Sequence, residues 1–204
     1  NSAAVIFFLM DVSGSMSQER KFLARSFFFL LYQFLNHRYE TVEVVFISHS
    51  TEAKRVSEDD FFKVATYGGT LISSCLDLQL DIIEKEFHPH SWNIYTFYCG
   101  DGENWSSDNE KCIDLFKQIK DVSQLTGYCE INEQYEGLGD EVDVDDPLQG
   151  TPWGTFSAWK NEEMDNLWSK LNPLCDNKFK KVMVGQSAHI WRAFSSLFGG
   201  KTRS

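Results

Sequence analysis

The sequence predicts an α/β fold: a three-layer, doubly wound, mostly parallel six-stranded sheet with one antiparallel edge strand. Three observations carry this. The run at 5–10 (VIFFLM) is apolar without period-2 alternation, which suits a strand buried on both faces. It ends abruptly in the oxygen-rich turn Asp11-Val12-Ser13-Gly14-Ser15, and a helical pattern follows. A second apolar run at 92–99 (WNIYTFYC) stops the same way, at Gly100-Asp101-Gly102. In a doubly wound sheet such loops gather at the carboxyl ends of the strands, where ligands bind.

Residues 17–37 read as a helix capped by Ser17, with Phe22, Leu23, Phe27, Leu30, Leu31, Phe34 and Leu35 on one stripe. Phe28 and Phe29 widen that stripe, so the helix is expected to be covered on most sides. Residues 41–48 (TVEVVFIS) form a second strand, and 51–56 (TEAKRV), after a short link, an antiparallel edge strand. His49 reads as a turn residue. Ser57 caps a short helix to about residue 65, whose acids Glu58, Asp59 and Asp60 complement the helix dipole. After Tyr67-Gly68-Gly69-Thr70 comes a helix at about 73–87, then the surface turn His88-Pro89-His90. Helices are further expected at about 107–122, 158–171 and 188–198, and strands at 128–132 and 179–184. No repeat and no long linker divides the chain, so one domain is expected.

The formal net charge of −11 argues against a nucleic-acid groove or an anionic membrane surface. No apolar stretch approaches a membrane span. The five cysteines lack a C-x-x-C pair, which points to reduced thiols and a cytoplasmic setting rather than zinc or disulfides. Cys99 falls near the expected site but suits a small core filler. The stretch at about 134–157 concentrates Glu136, Asp140, Glu141, Asp143, Asp145 and Asp146 without a lysine or arginine. It reads as an exposed acidic loop insertion, and its spacing is not that of an EF-hand. Trp153, Phe156 and Trp159 beside it offer a partner-binding lip.

The D-x-S-x-S spacing lets alternate side chains converge: Asp11, Ser13 and Ser15 supply one anionic and two neutral oxygens. That set suits a hard cation, Mg²⁺ or Mn²⁺ ahead of Ca²⁺. Alone, the pentapeptide also fits a plain strand–helix turn. Thr70 after a double glycine and Asp101 after an apolar strand complete a pattern. The three pieces resemble the metal-ion-dependent adhesion site of von Willebrand factor A domains. By that resemblance Asp11, Ser13 and Ser15 anchor the ion, Thr70 binds when a ligand is engaged, and Asp101 acts through water. One coordination position is left for a partner carboxylate. Gly69, Glu103, Asn104 and Trp105 would form the partner-binding rim. In related adhesion domains the last helix, here 188–198, shifts when a ligand binds.

The phrases FFLMDVSGSM, EVVFISHSTEAKRV, YGGT-x-x-SS and SWNIY…DGENW together resemble the YeaH/YhbH family. That family is cytosolic and associated with stress responses and sporulation. Its members carry an N-terminal charged helical region, so this chain, opening directly on a strand, is expected to be a fragment. The resemblance implies a metal-dependent protein-interaction module for a partner presenting Asp or Glu, with a PrkA-type serine protein kinase as candidate. Two other classes remain open: a Mg²⁺- or Mn²⁺-dependent hydrolase or phosphatase, and a scaffold with a vestigial metal site. A hydrolase needs a phosphate clamp and a placed base. The stretches 11–17, 68–70 and 99–106 contain no Lys or Arg, and only Glu103 is near enough to serve as base, so no enzyme is expected.

Overall fold

A computed structural model describes residues 2–63, 68–135 and 164–199. Strand β1 (Ala3–Asp11) is the centre of the molecule. It pairs in parallel with β2 (Thr41–His49) on one side and β4 (Asn93–Gly100) on the other. Next to β4 lie β6 (Leu125–Ile131) and then β8 (Phe179–Val184), both parallel. The far edge is β3 (Ala53–Val56), antiparallel to β2. The six strands run in the order β3-β2-β1-β4-β6-β8. The strand count, the mostly parallel pairing and the antiparallel edge strand are those the sequence predicts.

The alternation of a strand explains why β1 is apolar throughout. Ala4, Ile6, Phe8 and Met10 enter one core layer, and Val5, Phe7 and Leu9 enter the other. The first layer is covered by α1 (Gln18–Asn36) and α5 (Ile190–Phe198). The second is covered by α3 (Ile72–Glu86) and α4 (Asn109–Val122). Each of the large apolar side chains at 5–10 contributes roughly 1.5–3 kcal/mol by its burial.

Several elements depart from expectation. Leu23, Phe27, Leu31 and Leu35 of α1 are buried at four-residue spacing, but Phe22 and Phe29 are 59% and 63% exposed. The helix is therefore not covered on most sides. Phe29 instead rims a cleft of about 350 Å³ with Phe28, Tyr32, Val42, Val44 and Phe46. The short helix α2 is Glu58–Phe61, capped by Ser57 as expected but ending earlier. His49 is no turn residue: it ends β2, is buried, and packs on Tyr98 with ring centroids 5.6 Å apart. Burial pushes its imidazole down to about 4, so it is neutral at pH 7.

The helix expected at 158–171 is absent from its described part. Met164–Asn166 is a strand, β7, antiparallel to β5 (Glu103–Trp105). A 3-10 stretch, Ser169–Leu174, follows it. Two local features work against an α-helix there. Asn166 Oδ1 accepts the Trp168 N–H at 2.7 Å, which turns the chain, and Pro173 removes a donor. The acidic insertion and Trp153, Phe156 and Trp159 lie outside the described residues.

Candidate metal centre at the ends of the central strands

From β1 the chain passes through α1 to β2 on one side, and later returns through α3 to β4 on the other. The resulting crevice lies at the carboxyl ends of β1 and β4. Met10 pairs with Cys99, so Asp11 and Asp101 leave adjacent strands at nearly the same level.

Asp11 is fully buried. Its Oδ1 accepts the Ser13 N–H at 2.7 Å, folding the loop back on the strand end, while Val12 donates to the His49 carbonyl at 2.8 Å. Its Oδ2 is buried and accepts no hydrogen bond. Burial, with the Asp101 charge adding to it, pushes the Asp11 carboxyl up to about 7. The Ser13 and Ser15 hydroxyls lie 3.1 Å apart. Asp101 uses Oδ1 to accept the Glu103 N–H at 3.1 Å.

Thr70 is buried on a loop tied at several points. Its carbonyl accepts the Trp105 N–H at 3.3 Å, and the next residue, Leu71, donates to Ser50 at 2.8 Å. The first amides of α3, on Ile72 and Ser73, donate to Asn104 Oδ1 and Asp108 Oδ2, each at 3.0 Å. Gly69 lies against the Trp105 indole, where a Cβ would collide with the ring. Trp105 itself is 40% exposed.

Of the four expected rim residues, Asn104 needs correction. It is fully buried, and its amide is spent on Ile72, Asp108 and Asn109. It fastens the Thr70 loop to the Asp101 loop rather than facing a partner. Glu103 stands at this rim with its side chain partly open to solvent, and partial desolvation of its carboxyl together with the Asp101 charge holds it above the usual range.

The donors suit a hard divalent cation. Asp11 and Asp101 would supply two carboxylates, one with a buried, unpartnered oxygen, and Ser13, Ser15 and Thr70 would supply hydroxyls, those of the serines already adjacent. Among the described residues no three His, Cys, Asp or Glu side chains gather, so hydroxyls would have to complete the coordination.

Two residues that the sequence reading passes over sit at this site. Arg20, in the first turn of α1, reaches back over the loop. Its Nη1 lies 3.4 Å from Asp101 Oδ2 and donates to the Ser15 carbonyl at 3.1 Å. Its distance from the loop motif hides it; helix phase alone would have pointed to it. Glu130, at the end of β6, is buried and accepts from Asn166 Nδ2 at 3.3 Å. Burial pushes its carboxyl up to about 8. The signal was a glutamate inside an apolar strand on the same sheet edge.

Gly102 lies between these parts, with φ +84°, and a Cβ there would meet the Glu130 carboxylate and Asn166. Gly102→Ala is expected to cost about 1–3 kcal/mol in urea denaturation, from backbone strain and the displaced carboxylate together. An unchanged midpoint would mean the loop relaxes freely.

Residues 1–201 match the family described as "Protein of unknown function (DUF444)". The chain belongs to this family. The DUF444 chain is 50% identical over 178 residues to a UPF0229 protein of Ruminiclostridium cellulolyticum, covering 87% of this chain and 44% of that one. It thus spans less than half the length of that relative. Its fold is similar to that of the conserved hypothetical protein BatB from Bacteroides thetaiotaomicron. The TM-score is 0.53 at 16% identity, over 97% of this chain and 100% of that one. It is also similar to a von Willebrand factor type A structure from Catenulispora acidiphila. There the TM-score is 0.54 at 13% identity, over 96% of this chain and 42% of that one. The DUF444 chain therefore has a von Willebrand factor A-like fold in a YeaH/YhbH-type family. No helix among its described residues is long and apolar enough to cross a membrane.

Proposed function

We propose that this domain is a metal-dependent protein-interaction module. Asp11, Ser13, Ser15, Thr70 and Asp101 would hold Mg²⁺ or Mn²⁺, and an Asp or Glu of a protein partner would complete the coordination. The carrying observation is the buried, unpartnered Oδ2 of Asp11 beside a second carboxylate. Burying such a charge is costly unless it is paired or coordinated, and a divalent cation supplies that pairing. A carboxylate–metal–carboxylate link is short and directional, which suits recognition of an acidic side chain. The cytosolic setting, a role in stress response or sporulation, and a PrkA-type serine protein kinase as partner belong to the same proposal.

The test is a melting curve with and without Mg²⁺, Mn²⁺ and Ca²⁺, on wild type and Asp11→Ala. A cation at about 100 times its Kd adds about 2.7 kcal/mol, roughly 5–10 °C for a domain of this size. The rise should be confined to the wild type, with Mg²⁺ or Mn²⁺ ahead of Ca²⁺. An equal rise in Asp11→Ala would place the ion elsewhere.

A second reading, a Mg²⁺- or Mn²⁺-dependent phosphatase, gains one supporting observation. The Arg20 guanidinium is a cation of the kind a phosphate clamp requires. It is engaged by Asp101 and the Ser15 carbonyl, so the binding module is preferred. Cation-dependent turnover of p-nitrophenyl phosphate, lost in Asp11→Ala, would reverse that preference.

A further inference from the structure

We infer that Arg20 is the resident counter-ion of the site: it holds Asp101 while no divalent cation is present, and withdraws to Glu133 when one binds. The inference rests on the metal reading above and assigns its regulation.

Three observations carry it. The guanidinium lies between two carboxylates, with Nη1 3.4 Å from Asp101 Oδ2 and Nε 3.4 Å from Glu133 Oε1. Neither distance is that of a short, committed ion pair, and Nε, though buried, makes no hydrogen bond. A second seat is already built: Ser17 Oγ, at the cap of α1, donates to the same Glu133 Oε1 at 3.2 Å. The two carboxylates differ in setting, since the Asp101 side chain is 4% exposed and that of Glu133 is 41% exposed.

The physics of exchange follows. An Asp101 charge kept this dry needs a cation beside it. Arg20 meets that need in the metal-free state, helped by its bond to the Ser15 carbonyl. A divalent ion held by Asp11 and the serines would meet it better, and would repel a guanidinium a few ångströms away. Glu133, more exposed, receives the displaced charge without a further desolvation cost. Arg20 thereby sets the cation concentration at which the site fills. It is a positioning residue, not a ligand.

The experiment measures Mn²⁺ affinity by calorimetry, with Mn²⁺-induced melting shifts alongside. The proteins are wild type, Arg20→Gln, Arg20→Lys, Glu133→Gln and the double variant Arg20→Gln/Glu133→Gln. Arg20→Gln should bind Mn²⁺ about tenfold tighter, because no resident cation is displaced. Arg20→Lys keeps the charge but cannot span Asp101, the Ser15 carbonyl and Glu133 together, so it should fall between. Glu133→Gln, which removes the second seat, should bind about threefold weaker. The double variant should match Arg20→Gln alone, because Glu133 matters only while Arg20 is present.

Strict additivity in the double variant would mean distant charge effects only and would overturn the exchange. So would equal Mn²⁺ affinity in wild type, Arg20→Gln and Arg20→Lys, which would leave the metal reading standing. Absence of Mn²⁺ binding in all the proteins would overturn the metal reading and the inference with it.

Discussion

Replacing Asn104 with alanine is expected to lower stability by about 2–4 kcal/mol in urea denaturation, and to weaken any response to divalent cations as well. Helix α3 begins without a side-chain cap of its own, because Leu71 occupies the cap position. Its first amides are satisfied from another element, by Asn104 Oδ1 and Asp108 Oδ2. Truncating Asn104 leaves the Ile72 N–H buried without an acceptor and takes a donor from Asp108 Oδ2, which it meets at 3.2 Å. Thr70 lies just before this junction, so its loop loosens with it. Asn104→Asp is a stringent companion: it keeps an acceptor for Ile72 but sets a second carboxylate against Asp108. It should be no better than alanine. If both variants kept wild-type stability and cation response, the two loops would not be coupled through this side chain.

Glu130 supplies the second large effect, and it depends on pH. The unfolded chain loses this proton near pH 4.5, whereas the folded protein keeps it up to about pH 8. Within that window the native state binds more protons, so its stability falls as pH rises. The full penalty is reached only above about pH 8 and amounts to no more than about 5 kcal/mol. Glu130→Gln cannot ionise and can still accept from Asn166. It should match wild type near pH 4.5 and exceed it by a few kcal/mol near pH 8.5. Asp11 adds a slope of the same sign to both proteins, so the difference between their curves isolates Glu130. Parallel curves across this range would show that Glu130 ionises freely in the folded state.

The parts of the fold that were legible in the sequence are those where one physical requirement acts along several residues. Strand β1 had to be apolar at every position because both its faces are covered, and its carboxylate terminus marked the site. The same logic located β4 and Asp101. The edge strand β3 could be read from its polarity and the short link before it. What was illegible depends on neighbours distant in the chain. The ribbon β5–β7 has three residues on each strand, too few for any period, and its partner lies beyond the acidic insertion. Asn104 looked like a surface residue of a polar loop until α3 proved to need its oxygen. His49 looked like a turn residue because the strand was taken to end one residue early. Arg20 sat outside every loop searched for cations, although one helical turn brings it back over Ser15.

Lys180 of β8 gives the final helix a mechanical character. Its ammonium donates to the carbonyls of Ser196 and Leu197, at 3.3 and 2.7 Å, and so grips α5 at its C-terminal end. Above that grip, Phe194 and Phe198 press on Phe34 of α1, with centroids 5.3 and 4.4 Å away. At the other end, His189 Nδ1 accepts the Gly185 N–H at 3.1 Å. Sliding α5 along its axis would have to break all three holds. Such a helix would be held at its two ends and along its aromatic face at once, so any movement of it would be a step between packed positions rather than a gradual yielding.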